Sequence, residues 1–358
     1  MQAEGQRGPA AQPPRPRLSL VGFVAAAAAA MAILWFVQKV LTALLLLFLV
    51  LVVGIALSAP INWMTHRGVG RRLAKTLVLI TFFASLTLVA WLVIPRVATQ
   101  LAVLIERLPD LVVRLNAQIL DLLDRNPELQ RLVADSGGVP DFGAAAGGLF
   151  QGVGSISLGL LGGVALLIVF LSGVISVVQR PKPIFRAYVG SLPSRHRRAG
   201  VRAYRRFARS VVGWAKASVI IGTIEFVLVF LFLTWLDVPG ALVWAALAFF
   251  VEFIPRIGNY LMAIPPVLVS LTMGPWTAVW VGLFYFAMGE IMGAFVNPRI
   301  GGAVMALHPL LLLFFALAFA LGFGVLGALV ATPAAALFVA YYSEFYLRRH
   351  RPAGRKGK

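Results

Sequence analysis

Long apolar runs separated by short polar connections dominate this chain. Five runs approach or exceed the ~20 apolar residues that a helix needs to cross a ~30 Å hydrocarbon core. They lie at about 18–37, 40–58, 76–95, 153–178 and 211–236. Five further apolar pieces follow, at about 241–254, 257–273, 276–296, 307–322 and 325–346. The pattern predicts an all-α polytopic integral membrane protein.

The connections between the runs predict how the spans are joined. Only Gln38 and Lys39 separate the first two runs, so we expect a tight helical hairpin there, and the third span is expected to end at Pro95. The piece at 241–254 is too short to cross a bilayer alone. If one adjacent pair of the later pieces is re-entrant, about eight spans result.

An amphipathic insertion is predicted between spans 3 and 4, at 96–150. It holds five Arg and seven of the 13 acidic residues. Its apolar stripe recurs at helical spacing and consists of Val97, Leu101, Leu104, Leu108, Leu111 and Leu115. Pro109 is expected to split the segment into two helices. The stripe fits either a docking surface for another subunit or partner, or a helical hairpin that rests on its own membrane domain.

Charge patterning predicts the orientation. The net charge is +19, but the basic residues flank apolar runs, as the positive-inside rule describes, so nucleic acid is not an expected partner. We expect both termini and 180–210 to be cytoplasmic, 96–150 to be exterior, and the protein to lie in the cell inner membrane. The expected organisation is 1–17 disordered tail, 18–95 spans 1–3, 96–150 insertion, 151–179 span 4, 180–210 basic segment, 211–346 transmembrane core and 347–358 basic tail.

The basic segment has two interpretations. From Ser194 onward its apolar residues share one helical face and Arg residues occupy the others, which fits a helix lying on the cytoplasmic membrane surface. A loop that sets topology explains the same charge, and we prefer that interpretation.

The sequence contains few signals of a catalytic, metal or cofactor site. The chain has no Cys and four scattered His, and HExxH, GxSxG and P-loop motifs are absent. The glycines of Gly322-x-Gly324-x-x-Gly327 match a dinucleotide fingerprint, but the preceding run has membrane length, so a kink or close helix packing is predicted. His308 before Pro309 is interpreted as a helix-start or interfacial residue, with a proton relay as the alternative. We expect no enzyme activity, cofactor or metal.

The tetrapeptide Pro-Arg-Ile-Gly occurs twice within the transmembrane core, at 255–258 and 298–301, each time after an acid in the preceding apolar run. Pro removes a backbone donor and Gly loosens a helix. We therefore expect helix breaks at Pro255, Gly258, Pro298 and Gly301.

These breaks predict one polar site for a solute or ion. The candidate pathway residues are Glu225, Glu252, Arg256, Asn259, Glu290, Asn297 and Arg299. Two acids buried in lipid need partners, which the arginines could supply. The alternative is that the arginines lie at the membrane surface and the acids are solvated near helix ends.

Several motifs in this order resemble the autoinducer-2 exporter family of bacterial permeases. They are Val251-Glu252-Phe253-Ile254-Pro255-Arg256-Ile257-Gly258, Asn297-Pro298-Arg299-Ile300-Gly301-Gly302, Leu307-His308-Pro309-Leu310, Gly322-Phe323-Gly324-Val325-Leu326-Gly327 and Ala331-Thr332-Pro333. Arg256 and Asn259 depart from the residue types usual in that family.

The resemblance implies a function. It implies an oligomeric permease that exports a small polar solute or signalling molecule, and some relatives are assigned to sodium/proton exchange. A proton or sodium gradient as the driving force is a further expectation. A sodium/proton antiporter, a channel or a non-transporting membrane scaffold remain alternatives. The expected partners are membrane lipids, a small polar solute or ions, and further copies of the chain.

Overall fold

The computed structural model describes residues 20–125, 131, 166–254, 258–301 and 308–347. Within these ranges the chain is helical and contains no strand, which confirms the predicted all-α class. The predicted tail at 1–17, most of the second half of the insertion at 96–150, the first part of span 4 at 151–179 and the basic tail from 348 onward lie outside them. Packing divides the chain into two units, residues 1–45 and 46–358.

The predicted hairpin near Gln38 does not form. α1 runs without interruption over Leu20–His66. The Thr42 hydroxyl donates to the Gln38 carbonyl (2.9 Å) inside this helix, and neither Gly nor Pro occurs where the reversal was expected. Gln and Lys are good helix formers, so two polar residues alone do not end a helix. The expectation that the N-terminus and the basic loop after this helix both face the cytoplasm requires two spans here, and the structure has one helix.

α2 covers Arg71–Arg125 and is also longer than predicted. The third span was expected to end at Pro95, and Pro109 was expected to divide the insertion. Neither proline ends the helix. A proline removes one intrahelical hydrogen bond and bends a helix, but long flanking stretches of helix formers can continue through it.

α3, Leu166–Gln179, is followed by the short α4, Pro181–Gly190, after a bend of 85° at Arg180. α3 packs on the second half of α1, where Val50 fills the space beside Gly173. The Lys75 ammonium of α2 donates to the Gln179 carbonyl (2.9 Å). The start of α2 and the end of α3 therefore lie together.

α5, Arg197–Trp235, joins two predicted elements in one helix. The basic segment from Ser194 onward was expected to be a surface helix or a loop, separate from the span at 211–236. Instead the arginines occupy the first turns of the spanning helix. No Gly-Pro or turn sequence separates the two parts, so the helix continues.

α6, Ala241–Val251, and α7, Gly258–Leu271, form a hairpin of two short apolar helices. At 1.5 Å per residue they are about 16 and 21 Å long, too short to span. Tyr260 lies against Gly289 and Val267 against Gly282, so α7 runs antiparallel to α8, Pro275–Ile291. Phe284 of α8 stacks on Phe232 near the end of α5, with ring centroids 4.0 Å apart. α7 therefore returns to the end where α6 began.

α8 continues into a π-helical turn, Met292–Val296, and then into α9, Asn297–Gly301. The Asn297 amide donates to the Met292 carbonyl, five residues back. Pro298 therefore does not end the helix. The wider π turn just before it accommodates a residue whose ring clashes with the preceding turn.

α10, Pro309–Tyr342, doubles back at Gly324 and continues into a second π turn, Ser343–Leu347. The Phe315 and Phe338 ring centroids are 5.8 Å apart, whereas 23 residues of straight helix extend about 34 Å. Gly324 has φ 62° and ψ −144°, a conformation that is open only to glycine. The predicted kink at these glycines is confirmed, and it is a full reversal.

Among the described residues, five helices are long and apolar enough to cross a membrane, or six if α3 and α4 count as one span. One of the five is the doubled-back α10. The two helical hairpins, α6–α7 and α10, enter from opposite ends of the second unit. The first starts at the end of α5 marked by Trp235, called here the Trp235 end. The α10 hairpin starts and finishes at the opposite end, where Arg202 binds Glu344 (2.8 Å). This end is called here the Arg202 end.

Candidate functional site

Glu225 lies near the middle of the membrane-spanning part of α5. It is fully buried, with 0% exposure. Trp235, which is 74% exposed, marks the Trp235 end of the same helix. Ten residues of helix separate the two, or about 15 Å, which is half of a ~30 Å hydrocarbon core. A carboxyl group at this depth is costly and is the first indication of a functional site.

Two side chains from other helices share the electrostatic environment of Glu225. Glu252, at the end of α6, interacts electrostatically with it. Tyr285, from α8, does so as well. Three elements, α5, the tip of the α6–α7 hairpin and α8, thus bring two acids and a phenol together. We call Glu225, Glu252 and Tyr285 the acid cluster.

Sequence reasoning missed Tyr285. Its side chain is 2% exposed, and its hydroxyl has no hydrogen-bond partner in the part of the chain that the structure describes. The Ser218 hydroxyl and the side-chain carbonyl oxygen of Asn297 are also buried without a hydrogen-bond partner among the described residues. Buried polar atoms are normally paired. The sequence signal for Tyr285 was that it is the one tyrosine in the apolar run that leads to Glu290.

The turn after α6 is shaped by Gly258. A Cβ at this position would lie 2.6 Å from the Val251 carbonyl oxygen. Only glycine allows this close approach of the start of α7 to the end of α6. The chain thereby turns directly after Glu252. Pro255 and Arg256 of the predicted break lie outside the described residues, as does the side chain of Asn259.

Glu290 has a different partner from the other acids. It is exposed on α8, and the Tyr260 hydroxyl donates to its Oε1 (2.8 Å). This hydrogen bond joins α7 to α8 two residues before the π-helical turn begins. The structure therefore places Glu290 on the surface of the second unit, and Glu252 inside it.

Arg299 also has local partners. Its guanidinium donates to the Phe295 carbonyl (2.8 Å) and lies 5.7 Å from the Phe295 ring centroid. Such a geometry satisfies the charge within one turn of helix. Within the described ranges, the structure does not show Arg299 paired with Glu252 or Glu290.

His308 is the N-cap residue of α10. Its Nδ1 accepts from the Leu310 amide (3.3 Å). This confirms the helix-start interpretation.

The Arg202 end is closed by a polar and aromatic cluster. Besides the ion pair of Arg202 with Glu344, the Arg206 guanidinium donates to the Ser343 hydroxyl (3.1 Å). The Tyr341 hydroxyl donates to that of Tyr188, which itself donates to the Gly200 carbonyl (3.0 Å). α4, α5 and the end of α10 are thus joined by polar contacts.

Metal binding has no evident site. Among the described residues no group of three or more His, Cys, Asp or Glu is arranged to hold a metal ion.

Comparison with known proteins gives a consistent result. The profile of a family described as AI-2E family transporter matches residues 23–347. A "Putative transport protein" of Mycobacterium tuberculosis (strain CDC 1551 / Oshkosh) is 28% identical over 336 residues, which cover 88% of this chain and 86% of that protein. The "Putative transport protein YhhT" of Escherichia coli (strain K12) is 24% identical, covering 80% of each chain. The "AI-2 transport protein TqsA" of the same strain is 31% identical over 135 residues, covering 37% of this chain and 39% of that protein.

Proposed function

Because this chain belongs to the AI-2E family of transporters, we propose that it moves a small polar solute or signalling molecule across the membrane and that the acid cluster couples this movement to an ion gradient. The observation that carries the proposal is Glu225, a fully buried acid at the middle of a spanning helix. Acids at this depth line ion and substrate pathways far more often than they serve structure.

The chemistry of the acid cluster fits a proton or a sodium ion. Glu225 and Glu252 interact electrostatically, and two ionised carboxylates in a low-dielectric interior repel each other strongly. A bound proton or cation relieves the repulsion. The Tyr285 hydroxyl adds a neutral oxygen on α8. An ion that binds here and leaves again alters the balance of charge at the point where the α6–α7 hairpin meets α5.

The two hairpins supply an element that can move. In many secondary transporters, broken helices from two repeats meet near the midplane, and one part rocks against the other. Here α6–α7 enters from the Trp235 end and α10 from the Arg202 end. We propose that the α6–α7 hairpin moves with Glu252 at its tip, while α5 carries Glu225 as the fixed partner.

The remaining predicted residues are proposed to line the route to the acid cluster. Glu290 lies on the outer face of α8, about 21 Å along the helix from Trp276, so it needs water or another protein surface beside it. Arg256, Asn259, Asn297 and Arg299 belong to the same two segments. Their proposed role is to hold a polar solute, while Pro255, Gly258, Pro298 and Gly301 shape the backbone around it.

We further propose that the Arg202 end, with the C-terminus, faces the cytoplasm of a bacterial inner membrane and that the protein is a homo-oligomer. Ten basic residues and no acid between 180 and 209 favour this orientation.

Flux measurements with purified protein in liposomes test the function. Because the relative TqsA is named for AI-2 transport, autoinducer-2 is the first solute to use, with an entrapped pH dye and an imposed proton or sodium gradient. We expect the gradient to accelerate autoinducer-2 movement above that of protein-free liposomes. Equal rates with and without protein, for this solute and for the ions alone, would support the scaffold alternative.

A further inference from the structure

α4 lies where a membrane-surface helix is expected. The bend of 85° after Gln179 turns it almost perpendicular to the apolar α3. α4 therefore stays at the depth at which α3 ends, instead of continuing into or out of the bilayer. Its ten residues, Pro181–Gly190, include no fully buried side chain. This position corresponds to the headgroup layer at the Arg202 end.

One side of α4 is fixed to α5. The Phe185 and Tyr204 ring centroids are 5.1 Å apart, and the Tyr188 hydroxyl donates to the Gly200 carbonyl (3.0 Å). These contacts hold the helix in a defined orientation, and the residues on its other sides include exposed ones in the part of the chain that the structure describes.

These other sides of α4 carry the chemistry of a lipid contact. With 100° of rotation per residue, Lys182 and Arg186 share one flank and Ile184 lies on the opposite flank. All three are exposed. Long basic side chains beside an exposed aliphatic residue are typical of helices in the membrane interface, where the ammonium or guanidinium binds phosphate and the stem contacts acyl chains.

The segment 180–209, which contains α4, has ten basic residues and no acid. The ten that are exposed in this segment are Arg180, Lys182, Arg186, Arg195, Arg197, Arg198, Arg202, Arg205, Arg206 and Arg209. Arg202 and Arg206 are occupied by the end of α10. Tyr188 of α4 also contacts the end of α10, whereas the Lys182 and Arg186 side chains are exposed in the part of the chain that the structure describes.

We propose that α4 is a docking surface for anionic phospholipid headgroups in the leaflet at the Arg202 end, with Lys182 and Arg186 as the phosphate-binding residues. Charge alone would be satisfied by an unstructured connection. The bend, the rigid attachment to α5 and the division into a basic and an apolar flank indicate a shaped surface. Binding there anchors α4, and through the Phe185–Tyr204 contact it anchors the first turns of α5.

Site-specific quenching tests this proposal in the full-length protein, which lacks Cys. An Ile184→Cys protein carries a fluorophore and is reconstituted into vesicles of phosphatidylcholine and phosphatidylglycerol, with the quencher attached to either lipid. A basic side chain near an anionic surface contributes about 1 kcal/mol, or about fivefold in local lipid enrichment. We expect quenching by labelled phosphatidylglycerol to exceed that by labelled phosphatidylcholine severalfold at low salt, and to converge with it at high salt.

Two double variants in the labelled protein separate this surface from general charge. Lys182→Gln with Arg186→Gln should remove the preference for phosphatidylglycerol while the label stays quenched. Arg96→Gln with Arg131→Gln removes the same charge from exposed positions elsewhere and should leave the preference intact. Equal quenching by both lipids in the parent protein, no quenching by either, or an equal loss in both double variants overturns the proposal.

Discussion

The Tyr285 hydroxyl is buried without a hydrogen-bond partner among the described residues. An unsatisfied buried hydroxyl costs about 1 to 3 kcal/mol. Tyr285→Phe should therefore leave the melting temperature unchanged or raise it. If the hydroxyl binds the coupled ion or the solute, gradient-driven flux should nevertheless fall at least severalfold. Thermal unfolding in detergent checks the expected melting temperature, and flux in liposomes made from the same preparation checks the expected loss of transport. A less stable variant with normal flux would assign Tyr285 a purely structural role.

The hydrogen bond from Tyr260 to Glu290 allows the role of the acid to be separated from that of the contact. Tyr260→Phe and Glu290→Gln weaken the same interaction, but only the second removes an ionisable group. We expect Glu290→Gln to reduce flux much more than Tyr260→Phe, since an exposed acid on a spanning helix is proposed to line the solute route. Equal flux in the two variants would mean that Glu290 serves only to hold α7 against α8 through this hydrogen bond.

At the residue scale, the sequence predicted the kinds of group better than their partners. Acids within apolar runs stood out because few side chains cost more there, and Glu225 and Glu252 belong to the acid cluster. Which acid meets which depends on the depth at which each helix turns. In the sequence Tyr285 looked like an ordinary core aromatic residue. Arg299 contacts Phe295, one helical turn away, instead of an acid.

The α6–α7 hairpin depends on the close approach of its two helices at Gly258. In Gly258→Ala the new methyl would lie 2.6 Å from the Val251 carbonyl oxygen, so the turn must open. Overpacking of this kind costs about 1 to 3 kcal/mol. We expect a clearly lower melting temperature and reduced flux. Gly322→Ala is the matched control, because its Cβ meets nothing within 4 Å, and it should be tolerated. Similar melting temperatures for both variants would contradict the assigned turn.

The apolar stripe of α2 is proposed to hold subunits together beyond the membrane. The helix continues to Arg125, well past the span at Arg71–Leu92, so a long helical segment is available for association. Replacing Leu101, Leu104 and Leu108 together with Ser should weaken the oligomer, as measured by crosslinking and mass in detergent. Unchanged mass with retained helix content would mean that the stripe packs within its own subunit.

Among the elements, those punctuated by Gly and Pro were predicted well. The apolar pieces after residue 240 correspond to α6, α7, α8 and the two halves of α10, because turn residues mark their ends. The breaks expected near Gln38, Pro95 and Pro109 were wrong, as was the boundary expected between the basic segment and the span at 211–236. Polar pairs, basic residues and isolated prolines interrupt hydropathy without ending a helix, and hydropathy alone cannot distinguish the two cases.

At the scale of the whole molecule, the helix α5 runs from the proposed lipid-binding helix α4 to the acid cluster and the α6–α7 hairpin. It carries Glu225 at its middle, the contacts of α4 near its start and the turn into the α6–α7 hairpin at its end. A change of charge in the acid cluster would act on the hairpin tip. A change at the Arg202 end would act on the first turns of the same helix. The α6–α7 hairpin, which is proposed to move, and the α10 hairpin enter from opposite ends of this helix.

The most direct test of this account compares three single substitutions in one flux experiment. Glu225→Gln and Glu252→Gln each remove a carboxylate of the acid cluster, and Glu106→Gln makes the same chemical change at an exposed position of α2. All three are reconstituted at equal amounts of folded protein, and autoinducer-2 and proton movement are followed under imposed proton and sodium gradients. The account predicts that both cluster variants lose gradient-driven flux while Glu106→Gln retains it. Parent-like flux from Glu225→Gln and Glu252→Gln, with unaltered dependence on pH and sodium, would contradict it.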